Sequence, residues 1–104
     1  MEFINKVEIQ GYINSPTFTD IQGKKVARFA LATEYAYKVG SMSVVDTTWF
    51  SCIAFENEGI DFSVLQAGNT VNVTGRLKER RYVNKEGTEV RVFEVICKTV
   101  KLVE

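Results

Sequence analysis

Apolar and polar residues alternate at the start of the chain, where Val7, Ile9, Gly11 and Ile13 interleave with Glu8, Gln10 and Tyr12. A two-residue period puts each set on its own face of an extended strand, which predicts a strand over residues 3–13 ended by Asn14-Ser15-Pro16. A second strand is expected over residues 26–38, after the turn signal Gln22-Gly23-Lys24, with Phe29, Leu31 and Thr33 on one side. The loose run Val39-Gly40-Ser41-Met42-Ser43 separates it from a third strand over residues 44–55. That strand carries Trp49, Ser51, Ile53 and Phe55 on one face and Phe50, Cys52 and Ala54 on the other, so both of its faces are mostly apolar.

Between residues 56 and 68 the period changes, and Ile60, Val64 and Leu65 fall at helical spacing with Gly68 as a stop, which predicts one short helix. A fourth strand over residues 70–82 turns Val71, Val73, Gly75 and Leu77 inward. A fifth, over residues 89–102, follows the hairpin signal Asn84-Lys85-Glu86-Gly87. Three strands, a helix and two strands make an all-β chain, and this is the element order of the OB-fold, a five-stranded Greek-key barrel. No linker or repeat interrupts it, so residues 1–104 read as one domain.

Composition narrows the functional classes. The 104 residues are 45% hydrophobic and 25% charged, the balance of a globular domain, and no apolar stretch is long enough for a membrane helix. The opening Met-Glu-Phe-Ile-Asn-Lys has no signal-peptide character, so a cytoplasmic location and no membrane partner are expected. There is no histidine, and the two cysteines, Cys52 and Cys97, lie far apart within apolar runs. They read as buried free thiols, and neither a catalytic Cys/His pair nor a histidine or CxxC metal site is suggested. Asp46, Glu79 and Glu94 are scattered, without the paired spacing that holds a metal for nucleic-acid hydrolysis. No enzyme, cofactor or metal is expected. Net charge is zero, so any electrostatic site depends on local clustering.

Such a cluster occurs on the fourth strand. Arg76, Lys78, Arg80, Arg81 and Lys85 surround a single acid, Glu79, and alternation aligns Arg76, Lys78 and Arg80 with the ring of Tyr82. Cations at this spacing can track a phosphate backbone while a ring stacks on an unpaired base. An isolated stripe of this kind reads more readily as a solvated strand face that discourages edge pairing. The aromatics change that balance. Trp49 and Phe55, six residues apart, point the same way, and Tyr35 and Tyr37 share a face beside Lys38. Phe3, Phe29, Phe62 and Phe93, with many Val, Ile and Leu, are expected to fill the interior, leaving the other rings outside as a binding surface.

These segments resemble the bacterial single-stranded DNA-binding proteins over nearly the whole chain. Asn5-Lys6-Val7 with Gly11 resembles that family's first strand, and Phe29-Ala-Leu-Ala32-Thr33 its second. Thr48-Trp49-Phe-Ser-Cys-Ile-Ala-Phe55 resembles the third, and Gly68-Asn-Thr-Val71-Asn-Val73-Thr-Gly75-Arg76-Leu77 the fourth. The resemblance implies DNA stacking on Tyr37, Trp49, Phe55 and Tyr82, and phosphate contacts from Lys6, Lys38, Arg76, Lys78, Arg80, Arg81 and Lys85. It implies binding and protection of single-stranded DNA in replication, recombination and repair, with a homotetramer as the usual assembly and a dimer as the alternative.

Several positions depart from the family pattern. Ser15-Pro16 stands where an Asp-Pro pair is usual, Glu56-Asn57-Glu58 where a basic residue follows the third-strand Phe, and Phe50 where a subunit-interface histidine is common. Long members of the family continue into a flexible linker and an acidic tip that recruits replication and repair enzymes. This sequence ends at Lys101-Leu-Val-Glu104, so recruitment through such a tip is not expected. Two other readings of the surface are an OB-fold protein–protein adaptor of the primosome accessory type and an RNA-binding module, since nothing in the sequence identifies a reader of the 2′-hydroxyl.

Overall fold

Alternation is realised as five long strands in a computed structural model that describes residues 1–57 and 59–103. They are β1 (Val7–Ile21), β2 (Lys24–Val39), β3 (Met42–Phe55), β4 (Thr70–Val83) and β5 (Glu89–Leu102). The strands close in the order β1-β2-β3-β5-β4, with β4 returning to pair with β1. All pairings are antiparallel except the short parallel contact of β3 with β5, where Cys52 meets Val95 and Ile53 meets Ile96. This is the five-stranded OB barrel.

The interior is filled mainly by aliphatic side chains. Ile13, Leu31, Leu65, Val71, Val73 and Val95 are fully buried, and Phe29 is the one aromatic ring in the central cluster, with Phe50 and Phe62 packed against it. Each such side chain stabilises the fold by about 1.5–3 kcal/mol. The expectation that Phe3 and Phe93 help fill this core is corrected: both are largely exposed. Phe3 precedes β1, and Phe93 pairs with Glu79 on the β4–β5 ribbon beyond the barrel wall. Cys52 and Cys97 are buried free thiols, and the neighbouring Cys52 thiol, together with burial, pushes the Cys97 thiol well above its ordinary pKa.

Expected boundaries differ at both ends of β1, which begins at Val7 rather than at residue 3, and over the segment 56–68. β1 does not stop at Asn14-Ser15-Pro16 but continues to Ile21, because those residues form a bulge. Pairing shifts between Asn14 and Thr17, Ser15 takes a positive φ of 52°, and Pro16, which has no N–H to donate, is tolerated there. The expected helix over 56–68 is reduced to one 3-10 turn, Phe62–Val64, capped by the Asp61 carboxylate accepting from the Ser63 N–H at 3.0 Å. Ile60 and Leu65 are buried, but Ile60 is tied into the barrel by a bridge to Val100, and the Asn57 side chain accepts from the Gly59 N–H. Helical propagation has too few free residues left to repay its nucleation.

Closing so small a barrel brings backbones together where a side chain would obstruct them. A Cβ at Gly11 would strike the Ala32 carbonyl oxygen, and one at Gly75 the Ile96 carbonyl oxygen. Since neither obstacle is a flexible side-chain end, Gly11→Ala and Gly75→Ala are each expected to lower unfolding stability by about 1–3 kcal/mol. Urea denaturation checks this, and a midpoint unchanged in both variants would contradict it.

Candidate nucleic-acid interface

Strand register determines which side chains share the outer wall. On β2 and β3, Val26 pairs with Phe55, Arg28 with Ile53, Ala30 with Ser51 and Ala32 with Trp49. All of these lie on the face opposite the inward Phe29, Leu31 and Cys52. The parallel pair Ile53–Ile96 carries the same face onto β5, and the β4–β5 ladder extends it to Arg76, Lys78, Arg80 and Tyr82, opposite Ile96, Glu94, Val92 and Val90. Trp49, Phe55 and Tyr82 therefore stand on one continuous wall with three cations. Trp49 and Phe55 mark the two ends of a stretch of β3 about 20 Å long.

The four proposed stacking rings are all accessible: Tyr37 is 42% exposed, Trp49 52%, Phe55 41% and Tyr82 45%. Tyr37 is placed differently from the other three. It pairs with Val44, five residues from Ala32 along an unbroken ladder, and so faces the other side of the β2–β3 ribbon from Trp49. There it lies beside Tyr35, ring centroids 6.2 Å apart.

Tyr12, which alternation groups with the polar residues of β1, is a further ring at this surface. It pairs with Ala32, which pairs in turn with Trp49, so the two large rings flank one methyl group. They meet edge to face, centroids 6.5 Å apart and planes at 85°. The Tyr12 hydroxyl donates to the Glu34 carboxylate at 2.8 Å, and that bond, with desolvation and the carboxylate charge, raises the phenol pKa. Trp49 is thus braced on one edge by a ring that is itself anchored. The signal available in the sequence was the parity of Tyr12, which alternation puts on the face opposite Ile13.

The cations divide as well. Arg80 extends over Tyr82, its guanidinium carbon 5.7 Å from the ring centroid, an attractive arrangement of cation and π face. Arg81 points to the other side of β4, where its Nε donates to Glu79 at 2.6 Å and Nη1 lies 3.8 Å from Glu89. Arg76 and Lys78 belong to the outer wall with Tyr82, and among the described residues neither has a carboxylate within ion-pair distance. Lys38 and Lys85 are exposed at the two hairpin ends. Lys6 lies at the barrel end, where the segment before β1 is fastened by Asn5, whose side chain donates to the Leu77 carbonyl and accepts from its N–H. Lys6, Arg76 and Lys98 border a groove there of about 870 Å³. Arg28, not singled out by the sequence, lies on the same wall opposite Ile53 and joins Glu94 at 3.2 Å.

A small barrel with rings and cations gathered on one exposed wall is the architecture of oligonucleotide-binding OB domains. The chain belongs to the single-strand binding protein family, whose sequence model matches residues 4–103. It is 30% identical over 104 residues to single-stranded DNA-binding protein 1 of Staphylococcus aureus strain COL, in a match covering 97% of this chain and 62% of that protein. It is also 30% identical over 83 residues to single-stranded DNA-binding protein B of Bacillus subtilis, covering 79% of this chain and 73% of the relative. The chain thus spans about 62% of the length of the staphylococcal relative. Two solved structures share the fold. The Plasmodium falciparum SSB in complex with ssDNA superposes with a TM-score of 0.86 at 21% identity, covering 100% of this chain and 98% of that one. The small single-stranded DNA-binding protein of Streptomyces coelicolor gives 0.74 at 23% identity, covering 99% and 96%.

The division of the cations has a titration consequence. The Arg81 hydrogen bond, and secondarily the charges of Arg81 and Arg91, hold the Glu79 carboxyl below its ordinary pKa. A lowered folded-state pKa stabilises the fold above the ordinary carboxylate range, and that contribution is lost as pH falls through the lowered value. Arg81→Gln is expected to move the Glu79 midpoint up toward the ordinary range in a carboxyl-detected NMR titration. An unmoved midpoint would contradict the pairing.

Proposed function

We propose that this chain binds and protects single-stranded DNA with little sequence preference, in the cytoplasm, during replication, recombination and repair. The observation that carries the reading is the joint exposure of Trp49, Phe55 and Tyr82 on the wall that holds Arg76, Lys78 and Arg80. Every base offers a π face, so stacking on rings is tolerant of sequence, whereas a duplex hides those faces. Backbone phosphates meet Arg76, Lys78 and Arg80, while Lys6, Lys38 and Lys85 extend the contact at the barrel end and the hairpins. Arg81 contributes when a phosphate displaces Glu79. Tyr37 stacks where the strand passes around the β2–β3 ribbon. The domain acts as a homo-oligomer, a tetramer by preference over a dimer, which lets one strand run across several walls. Exposed apolar side chains at Phe3, Ile4, Phe93 and Leu102 support burial against further copies.

Titration of Trp49 fluorescence with oligo-dT is expected to quench it, while duplex of equal length leaves it nearly unchanged. Affinity should fall with salt by a log–log slope of about −0.7 for each phosphate neutralised. Measured by filter binding of labelled oligo-dT, Trp49→Ala, which removes the chain's single tryptophan, is expected to cost about 1–3 kcal/mol of binding with little change in slope, whereas replacing Arg76 and Lys78 flattens the slope. Absence of quenching at low salt contradicts the reading and favours the protein–protein adaptor, and stronger competition by oligo-U than by oligo-dT favours an RNA ligand. Light scattering with and without oligo-dT tests the assembly, for which a monomer in both would contradict the oligomer.

A further inference from the structure

Glu94 is the one charged residue among the described residues that is buried, at 7% exposure, and it sits on the proposed DNA wall rather than in the core. An acid is out of place on a surface that is to meet phosphates, since it repels them. Its surroundings account for it. One carboxylate oxygen, Oε2, accepts from Arg28 Nη1 at 3.2 Å, and the other, Oε1, lies 4.0 Å from Arg80 Nε. The two arginines come from β2 and β4, so Glu94 on β5 joins cations that are 52 positions apart in sequence. Both guanidinium side chains remain half exposed, each 52% accessible, while the carboxylate beneath them is covered. With Ser15, Thr17 and Ser51 they border an open recess of about 240 Å³. Arg80 also lies over the Tyr82 ring, so its guanidinium is attracted both by the carboxylate and by the π face.

We propose that Arg28 and Arg80 form a two-armed phosphate clamp beside Tyr82, with Glu94 as the positioning residue that sets their guanidiniums before the strand arrives. This rests on the single-stranded DNA reading. A free arginine loses side-chain freedom when it grips a phosphate, and one already fastened at one edge loses less while keeping its remaining N–H donors for the ligand. The recess admits the phosphate between the two arms, with Ser51 on its rim. Arg80 covers one side of Tyr82, which leaves the opposite side of the ring for the base. The clamp thereby fixes phosphate and base of neighbouring positions relative to each other.

The test compares oligo-dT titrations of the wild-type domain with Glu94→Gln, Arg28→Ala and Arg80→Lys, read by Trp49 quenching over a range of salt. Glu94→Gln adds one unit of positive charge to the wall, so a purely electrostatic role predicts tighter binding and a steeper salt slope. Positioning predicts weaker binding, by about tenfold, despite the added charge. Arg28→Ala alters an exposed side chain, and it is expected to weaken binding and to flatten the slope by about 0.7, the share of one phosphate on a single strand. Arg80→Lys keeps the charge but not the planar fork, and weakened binding is expected there as well. In the double variant Glu94→Gln with Arg28→Ala the losses should be less than additive. Binding as tight as wild type or tighter in Glu94→Gln, or an Arg28→Ala protein with unchanged affinity and slope, overturns the clamp. Wild-type quenching in the same series separates this result from failure of the underlying reading, in which no protein is quenched.

Discussion

The constraint on which the structure depends is that a strand in a closed barrel has only two sides, and the inner one is small. Ile13, Leu31, Val71, Val73 and Val95, with Phe29 as the one central ring, already fill it. The barrel tightens further where Gly11 and Gly75 let backbones approach closely. Large rings at the other parity have no interior to enter. Trp49, Phe55 and Tyr82 are consequently held outside, and the same pairing that excludes them from the core aligns them with the cations of β4. Core packing and surface chemistry are thus one consequence of alternation read on opposite faces.

Much of this was legible along the chain because alternation is a local property. The parity of Trp49 and Phe55, the stripe of Arg76, Lys78 and Arg80 ending in Tyr82, and the inward Val71 and Val73 of β4 all follow from counting by two, whereas Leu77, expected inward, is exposed because it lies past Gly75, where the ladder with β1 ends. The ends of elements were less legible. Ser15-Pro16 has the composition of a terminator but serves as a bulge within a strand that runs to Ile21, and Ile60, Val64 and Leu65 have helical spacing, yet Ile60 is bridged to Val100 while Val64 and Leu65 close a single turn on Asp61 and Phe62. In both places a tertiary contact overrides a local preference.

Features that require two distant strands to meet left almost no trace in the sequence. Arg28 and Glu94 read as a lone base and a lone acid in apolar strands, and only the closure of β3 against β5 brings them together. Tyr12 gains its meaning from a row across three strands, in which Ala32 separates it from Trp49. Tyr37 and Arg81 illustrate the converse. Chemistry and resemblance assign them to the same set as Trp49 and Arg80, but their parity places each on the other side of its ribbon. The fold accommodates both sets only if the bound strand travels around the ribbons rather than along one flat face.

The central claim is that DNA lies on the outer wall defined by Trp49, Phe55 and Tyr82. Ultraviolet cross-linking of oligo-dT to the domain, with the attached peptides mapped by mass spectrometry, tests it most directly. Adducts at those three rings are the expected result. Adducts confined to Phe18 and Phe62 at the barrel end, or to Phe93 on the opposite face of the β4–β5 ribbon, would contradict the account.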